Sequence, residues 1–211
     1  MGRVPGDRGT DAFTNVADRY TPGGGRVYAR SGGELRYEKW IRAYKPGRSF
    51  ASNGPVIRMT VDGKEPGEEI RADAPRAVRV KALVRTQVPV DKVEIVVNGK
   101  VVVSRRELTL DDDVPLSRSS WIAVRALGPW HRLVLNDAQA FAHSSPVYAY
   151  FGNQPIGVRS DVRFYIDWIE KLIARTSERG RFASEERKAE VIALFRRALE
   201  KYRALEAAAD E

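Results

Sequence analysis

The sequence has no cysteine among its 211 residues. Disulfides, thiolate metal sites and cysteine nucleophiles are therefore excluded. Histidine is almost as scarce, because only His131 and His143 are present, and this limits any metal site or general base built from imidazole. No apolar run approaches the roughly 18 residues that a membrane-spanning helix needs. The N-terminal residues lack the apolar segment of a signal peptide, so we expect neither a membrane segment nor a secretion signal.

Long blocks of like charge are also missing, although the formal net charge is +8. Residues 1–50 carry ten basic and five acidic side chains, whereas residues 161–211 carry eleven of each. Arginines alternate with acids along the chain, which is typical of a solvated, mildly basic surface. We therefore expect no nucleic-acid partner, since such a partner needs basic residues gathered on one face.

The clearest structural signal is a pair of β-branched runs on either side of Asn98-Gly99, within residues 92–104. Asn-Gly favours the positive φ angles of a type I′ turn, so this segment is predicted to be a β-hairpin. The turn would pair Val97 with Lys100 and place Ile95 opposite Val102. Apolar residues would then lie on both faces of the ribbon, which requires neighbouring strands and a cover on at least one side.

Strand signals separated by turn residues continue throughout residues 55–157. Five to seven short strands without intervening helices indicate an antiparallel β-sandwich of immunoglobulin-like size. The predicted strands lie at 56–62, 78–86, 92–97, 100–104, 120–125, 140–143 and 147–151.

The two ends of the chain differ from this central part. Residues 1–54 are rich in glycine, proline and arginine, with little periodicity apart from a brief run at 26–30 and a short helical pattern at 35–44. Residues 158–211 carry apolar residues at helical spacing in two runs. This predicts a helical hairpin that buries its apolar face on the sandwich or on a partner. The predicted fold class is mainly β with α: an immunoglobulin-like sandwich followed by a C-terminal helical hairpin.

Residue types that could carry chemistry are few and scattered. His131 lies in a predicted loop and His143 in a strand segment, and nothing in their spacing requires them to meet a carboxylate. The acidic run at 111–113 is predicted to be a solvated loop, because the ligand spacing and glycine of a calcium loop are absent. Spacing alone therefore identifies no catalytic or cofactor-binding residue.

Several phrases of the sequence nevertheless resemble one enzyme family. Taken together, they resemble the end of the catalytic domain and the C-terminal region of PHP-type metallohydrolases of the CehA/McbA group, known for carbamate hydrolysis. The phrases are Gly-Thr-Asp-Ala-Phe at 9–13, Gly-Arg-Ser-Phe-Ala-Ser-Asn-Gly-Pro at 47–55, Val-Asp-Gly-Lys-Glu-Pro-Gly at 61–67, Val-Asn-Gly-Lys-Val-Val at 97–102, Ser-Ser-Trp-Ile-Ala at 119–123 and Phe-Ala-His-Ser-Ser-Pro-Val-Tyr at 141–148.

That resemblance implies a distorted β/α barrel whose His, Asp and Glu side chains bind divalent metals such as zinc, manganese or iron, which activate a water. Only Asp11 matches a metal ligand of the family, and Phe13 stands where many members have histidine. Residues 1–54 would then be a remnant of the end of the barrel. The other ligands would come from a partner, a PHP barrel domain encoded by a separate or truncated upstream reading frame.

The resemblance thus implies an accessory role in which the sandwich supports a barrel active site largely absent from this chain. Metal would bind in the complete enzyme, and the chain alone would be inactive. Two alternatives stay open. A stand-alone sandwich could bind a ligand or protein through aromatic side chains such as Trp121, Trp130 and Tyr148. A small autonomous metal-dependent hydrolase would need Asp11, His131 and His143 within metal-bonding distance.

Overall fold

The computed structural model describes residues 23–134, 139–152 and 154–208. They belong to two compact units, one ending at Gln154 and the other beginning at Pro155. The described part of the first unit consists of strands with one short helix, and that of the second consists of two long helices.

Nearly all of the described elements of the first unit are strands. Its single described helix lies between the first two strands, and strands follow from there to the end of the unit. The bounds are β1 (Arg26–Ala29), α1 (Tyr37–Tyr44), β2 (Ser49–Ser52), β3 (Val56–Val61), β4 (Glu69–Ala72), β5 (Ala77–Arg85), β6 (Lys92–Val97), β7 (Lys100–Arg105), β8 (Thr109–Pro115), β9 (Ser120–Trp130), β10 (Gln139–Ser144) and β11 (Val147–Phe151).

These strands form two sheets. The smaller sheet has the order β3-β5-β8, and both of its pairings are antiparallel. The larger sheet is centred on β9, which pairs with β6 on one side and with both β10 and β11 on the other. Outward from these, β7 pairs with β6, β2 and β1 extend from β10, and β4 joins β11 in parallel. This arrangement confirms the predicted immunoglobulin-like sandwich.

The core of the sandwich lies between the two sheets because one face of each strand is apolar. In β5 every second residue is buried, while the residues between them are exposed. Ile95 of β6 and Ile122 of β9, both with no exposed surface, belong to the same apolar cluster. Burying each such side chain contributes on the order of 1.5–3 kcal/mol.

The predicted hairpin is present, with β6 and β7 joined at Asn98 and Gly99, whose φ values are 47° and 82°. Val97 pairs with Lys100 as expected. The expected pairing of Ile95 with Val102 is wrong, because a register shift between Ile95 and Val96 places Ile95 opposite Val103. The shift turns Val103 toward the core and leaves Val102 exposed.

The acidic run at 111–113 is part of strand β8, which corrects the predicted loop. Cations on neighbouring strands neutralise its carboxylates. Arg79 donates from Nε to Asp111 at 2.6 Å and from an Nη to Asp113 at 2.8 Å, while Arg105 bonds Asp112 at 2.9 Å. The hydrogen bond from Arg79 lowers the pKa of Asp111 below its usual value. Cross-strand ion pairs with β5, together with one from Arg105 at the end of β7 in the other sheet, therefore allow three consecutive acids in this strand.

The sandwich includes strands earlier in the chain than the expected boundary at residue 55. Strands β1 and β2 lie within residues 1–54 and pair into the larger sheet. Each has only four residues, so the brief run at 26–30 is the one local signal of β1, and β2 has none. The expected barrel remnant stays a prediction, and residues 1–22, with Asp11 among them, lie outside the described residues.

The second unit contains the predicted helical hairpin, formed by α2 (Arg159–Arg179) and α3 (Glu185–Ala208). Helix α2 ends before Gly180, and the Ser184 hydroxyl accepts a hydrogen bond from the backbone N–H of Arg187, which caps α3. The apolar faces of the helices pack on each other, with ion pairs Arg163–Glu206 and Arg203–Glu170 beside them. The buried members are Val162, Ile166, Ile169 and Leu199. No helix in the described ranges combines the length and apolarity needed to cross a bilayer.

Candidate functional site

His143 lies on β10, on the face of the larger sheet that points away from the smaller one. Its neighbour Ser144 points inward, where its hydroxyl accepts a hydrogen bond from the backbone N–H of Val124 at 2.9 Å. The Nδ1 atom of His143 lies 2.6 Å from the carbonyl oxygen of Ser144, to which it donates. Burial lowers the pKa of His143; the hydrogen bond to Ser144 opposes this shift, and the charge of Arg125 adds to it. The ring is therefore neutral at pH 7.

His131 follows β9 and is held by its own loop. The backbone N–H of Leu133 donates to its Nδ1 at 3.2 Å. Each histidine thus bonds to nearby backbone, and no three His, Asp or Glu side chains are grouped to hold a metal ion in the part of the chain that the structure describes. These residues alone do not fit a divalent metal. Asp11 lies outside them, so the set Asp11, His131 and His143 stays a prediction.

Glu94 is the most deeply buried carboxylate among the described residues, with 2% of its surface exposed. Arg125 donates to it from Nε at 2.5 Å, and Lys92 Nζ lies 2.8 Å from its other oxygen. Burial raises the pKa of Glu94, but the hydrogen bonds from Lys92 and Arg125 outweigh it, and the net shift is downward. A carboxylate held ionised by two cations is suited to binding the sheet together and not to donating a proton.

The three aromatic residues considered as a ligand-binding row do not form one. Trp121 and Tyr148 are cross-strand partners on β9 and β11, and both are partly buried. Trp130 lies nine positions further along β9, which is about 30 Å in an extended strand, and 67% of it is exposed. A shared ring surface therefore includes at most Trp121 and Tyr148.

Three phrases that are far apart in the sequence meet at one junction. The backbone N–H of Gly67 donates to the carbonyl of Pro146 at 2.8 Å, and that of Ser145 donates to the carbonyl of Ser49 at 2.9 Å. The hydroxyls of Ser49 and Ser145 are also 2.9 Å apart and buried. The contacts join the phrases 47–55, 61–67 and 141–148, all of which belong to the family resemblance.

The junction requires glycine at position 67. Gly67 has φ +84°, and a Cβ atom there would lie 2.3 Å from the carbonyl oxygen of Pro46, well inside van der Waals contact. Gly47, the residue after Pro46, lies on the same side, with its carbonyl carbon 2.9 Å from that Cβ position. The backbones of the first two phrases thus approach more closely than side chains would permit. The packing at the junction therefore explains why glycine occurs in both of these sequence segments.

A cleft of about 750 Å³ opens beside this junction, within the sandwich unit. Its lining comes from β1, β2, β3, β5, β8 and β10, together with Glu65 and Pro66. Tyr28 and Phe50 form one part of the wall, with ring centroids 4.7 Å apart and ring planes 8° from parallel. The sequence contains no signal for this cleft, because its residues come from separate segments that only the fold brings together.

Comparison with known proteins adds little to this description. No protein-family model matches the sequence, and no curated protein matches it. Among solved structures, the chain is similar to fibronectin(III)-like modules of Clostridium thermocellum CbhA, with 21% sequence identity and a TM-score of 0.29. That similarity covers 44% of this chain and 94% of the module.

Proposed function

We propose that this chain is a non-catalytic accessory module that supports the barrel of a PHP-type metallohydrolase and helps to shape the entrance of its active site. The observation that carries the proposal is the junction of Gly67, Ser49 and Ser145-Pro146. Half of the six phrases that resemble the family meet there, although almost a hundred positions separate Ser49 from Ser145. Because these three sequence segments contact one another in the fold, we infer that they share one structural role.

The position of β1 also supports the proposal. Only fifteen positions separate Asp11 from Arg26, where β1 begins. Strand β1 then pairs with β2, which carries the phrase 47–55 and part of the cleft wall. A barrel that used Asp11 would therefore be tethered within about 50 Å of β1, which is the reach of fifteen extended residues. In this proposal the remaining metal ligands belong to the barrel, since no three His, Asp or Glu side chains are grouped to hold a metal ion among the described residues.

The test is reconstitution with a separately produced PHP barrel domain, followed by measurement of association, bound metal and hydrolysis of an aryl ester or carbamate. We expect the two polypeptides to copurify and the complex to bind zinc or manganese and turn substrate over. We expect the chain alone to show no turnover with either metal. Turnover by the chain alone would favour the autonomous hydrolase, and a failure to associate would refute the accessory role.

A pair of matched variants tests the contribution of Asp11 within that complex. Asp11→Asn removes the one carboxylate that matches a family ligand, so metal content and turnover should both fall at least tenfold, since one metal-bound carboxylate contributes strongly to affinity. Asp18→Asn removes another carboxylate of the same segment, one that matches no family motif. It should leave both quantities unchanged. Equal effects of the two variants would contradict the assignment of Asp11.

A further inference from the structure

The cleft beside the junction has the size and lining of a small-molecule site. Its volume of about 750 Å³ lies within the roughly 300–1,000 Å³ that is typical of ligand pockets. The wall is largely apolar, with the stacked Tyr28 and Phe50 rings on the larger sheet and Ile57 and Met59 on β3. Most of the polar side chains that line the cleft are charged. Such a wall favours the flat, apolar body of an organic ligand.

Basic side chains outnumber acidic ones at the cleft. Four basic side chains line it, against two carboxylates, those of Glu65 and Asp111. Glu65 is already paired with Arg30. Asp111 is bound by Arg79 at 2.6 Å and lies 3.8 Å from Lys81. Both acids of the cleft are therefore neutralised by neighbouring cations.

Two arginines remain at the cleft, Arg48 before β2 and Arg58 on β3. Both side chains are exposed, and neither forms an ion pair or a side-chain hydrogen bond with any residue in the described ranges. A guanidinium presents a planar fork of N–H donors that fits a carboxylate or phosphate in two parallel hydrogen bonds. Two guanidinium groups with no acidic partner among the described residues, next to a stacked aromatic wall, favour a ligand that carries both an aromatic ring and an anionic group.

We infer that this cleft binds an aromatic organic anion, with the ring against Tyr28 and Phe50 and the carboxylate or phosphate held by Arg48 and Arg58. The inference does not depend on the proposed accessory role, because every lining residue lies between positions 28 and 144 of this chain. Association with a barrel and binding of the anion can therefore succeed or fail separately.

Calorimetric titration of the purified full-length chain tests the inference with four probes of one shape. The probes are 2-naphthoate, 2-naphthyl phosphate, neutral 2-naphthylmethanol and cationic 2-naphthylmethylamine. We expect at least one anion to bind at least tenfold more tightly than the neutral probe, and its affinity to fall with added salt. The preferred anion distinguishes a carboxylate from a phosphate ligand. Equal affinity for all four probes, or no binding at millimolar concentration, would overturn the inference.

Substitutions assign the binding to this cleft. Arg58→Gln and Arg48→Gln should each weaken the preferred anion about five- to tenfold, which is the loss of one charge-assisted interaction at an exposed position. Neither should alter the affinity of the neutral probe. Tyr28→Leu should weaken anionic and neutral probes alike, because it removes ring surface and no charge.

Arg85→Gln is the matched control for charge. Arg85 is an exposed arginine of the smaller sheet, on β5, and does not line the cleft. Its removal lowers the net charge by the same amount as Arg58→Gln, so it should leave the affinity unchanged. If Arg85→Gln weakens binding as much as Arg58→Gln, the anions respond to the general surface charge and the assigned site is wrong. Circular dichroism of each variant confirms that it is folded.

Discussion

At the scale of single residues, buried polar groups of the sandwich bond to groups on neighbouring strands and segments. Glu94, Ser144 and Ser145 are each 2% exposed or less. Each also has a hydrogen-bond partner on a neighbouring strand or phrase, which offsets the cost of removing it from water. The histidines could be recognised as candidates from the sequence, but these hydrogen-bond partners could not. The partners depend on which residues the strand register brings together.

His143 should make the stability of the protein depend on pH. Burial lowers its folded pKa below the ordinary value of 6.5, so the unfolded chain takes up a proton first as the pH falls. This contribution is fully present above about pH 6.5 and is lost as the pH falls toward the folded pKa, with a slope of at most about 1.4 kcal/mol per pH unit. Thermal unfolding measured between pH 7.5 and 5.5 should show a falling midpoint.

Substitution identifies the group responsible. His143→Gln should flatten the dependence in this range, whereas His131→Gln, which removes the other histidine, should keep it. Glu94 does not interfere, because its lowered pKa makes its contribution fall only below its ordinary value of 4.5. A midpoint that falls equally in the wild type and in His143→Gln would show that another group titrates.

At the scale of elements, local turn chemistry was predictable and tertiary pairing was not. Asn98-Gly99 identified its hairpin because both residues tolerate positive φ. The register shift beyond Ile95 and the strand character of residues 111–113 depend instead on side chains from other strands. The short strand β2 owes its assignment to the neighbours with which it pairs, which no local pattern reveals.

The junction between phrases should be sensitive to a single methyl group at position 67. Gly67→Ala combines a positive φ, which costs an alanine about 1–2 kcal/mol, with a Cβ that would lie 2.3 Å from the carbonyl oxygen of Pro46. Relief of that contact needs a backbone shift that costs a further 1–3 kcal/mol or so. Denaturant unfolding should therefore show a loss of about 2–5 kcal/mol in the free energy of unfolding.

Gly63→Ala is the matched control for Gly67→Ala. Gly63 has φ +77°, and no atom lies within 4 Å of the position its Cβ would occupy. It should lose only the conformational part, about 1–2 kcal/mol. Similar losses of unfolding free energy in the two variants would mean that the close approach at the junction does not affect stability. The requirement for glycine at position 67 would then rest on its positive φ alone.

At the scale of the whole molecule, the class of each unit was predictable from the sequence, but the place where a ligand could bind was not. Two apolar periods, one of strands and one of helices, predicted a sandwich followed by a helical hairpin. The cleft could not be predicted, since its lining comes from six strands and a turn.

The two units should also separate on truncation. The apolar cluster of the sandwich has members only between residues 57 and 151, and that of the hairpin only between 162 and 202. A unit with its own core is able to fold by itself. A chain ending at Gln154 should therefore keep a β-type circular dichroism spectrum and a cooperative thermal transition, and should lose the helical signal of α2 and α3. A broad, non-cooperative transition in the truncated chain, beside a sharp one in the full-length control, would show that the sandwich core is insufficient without the helices.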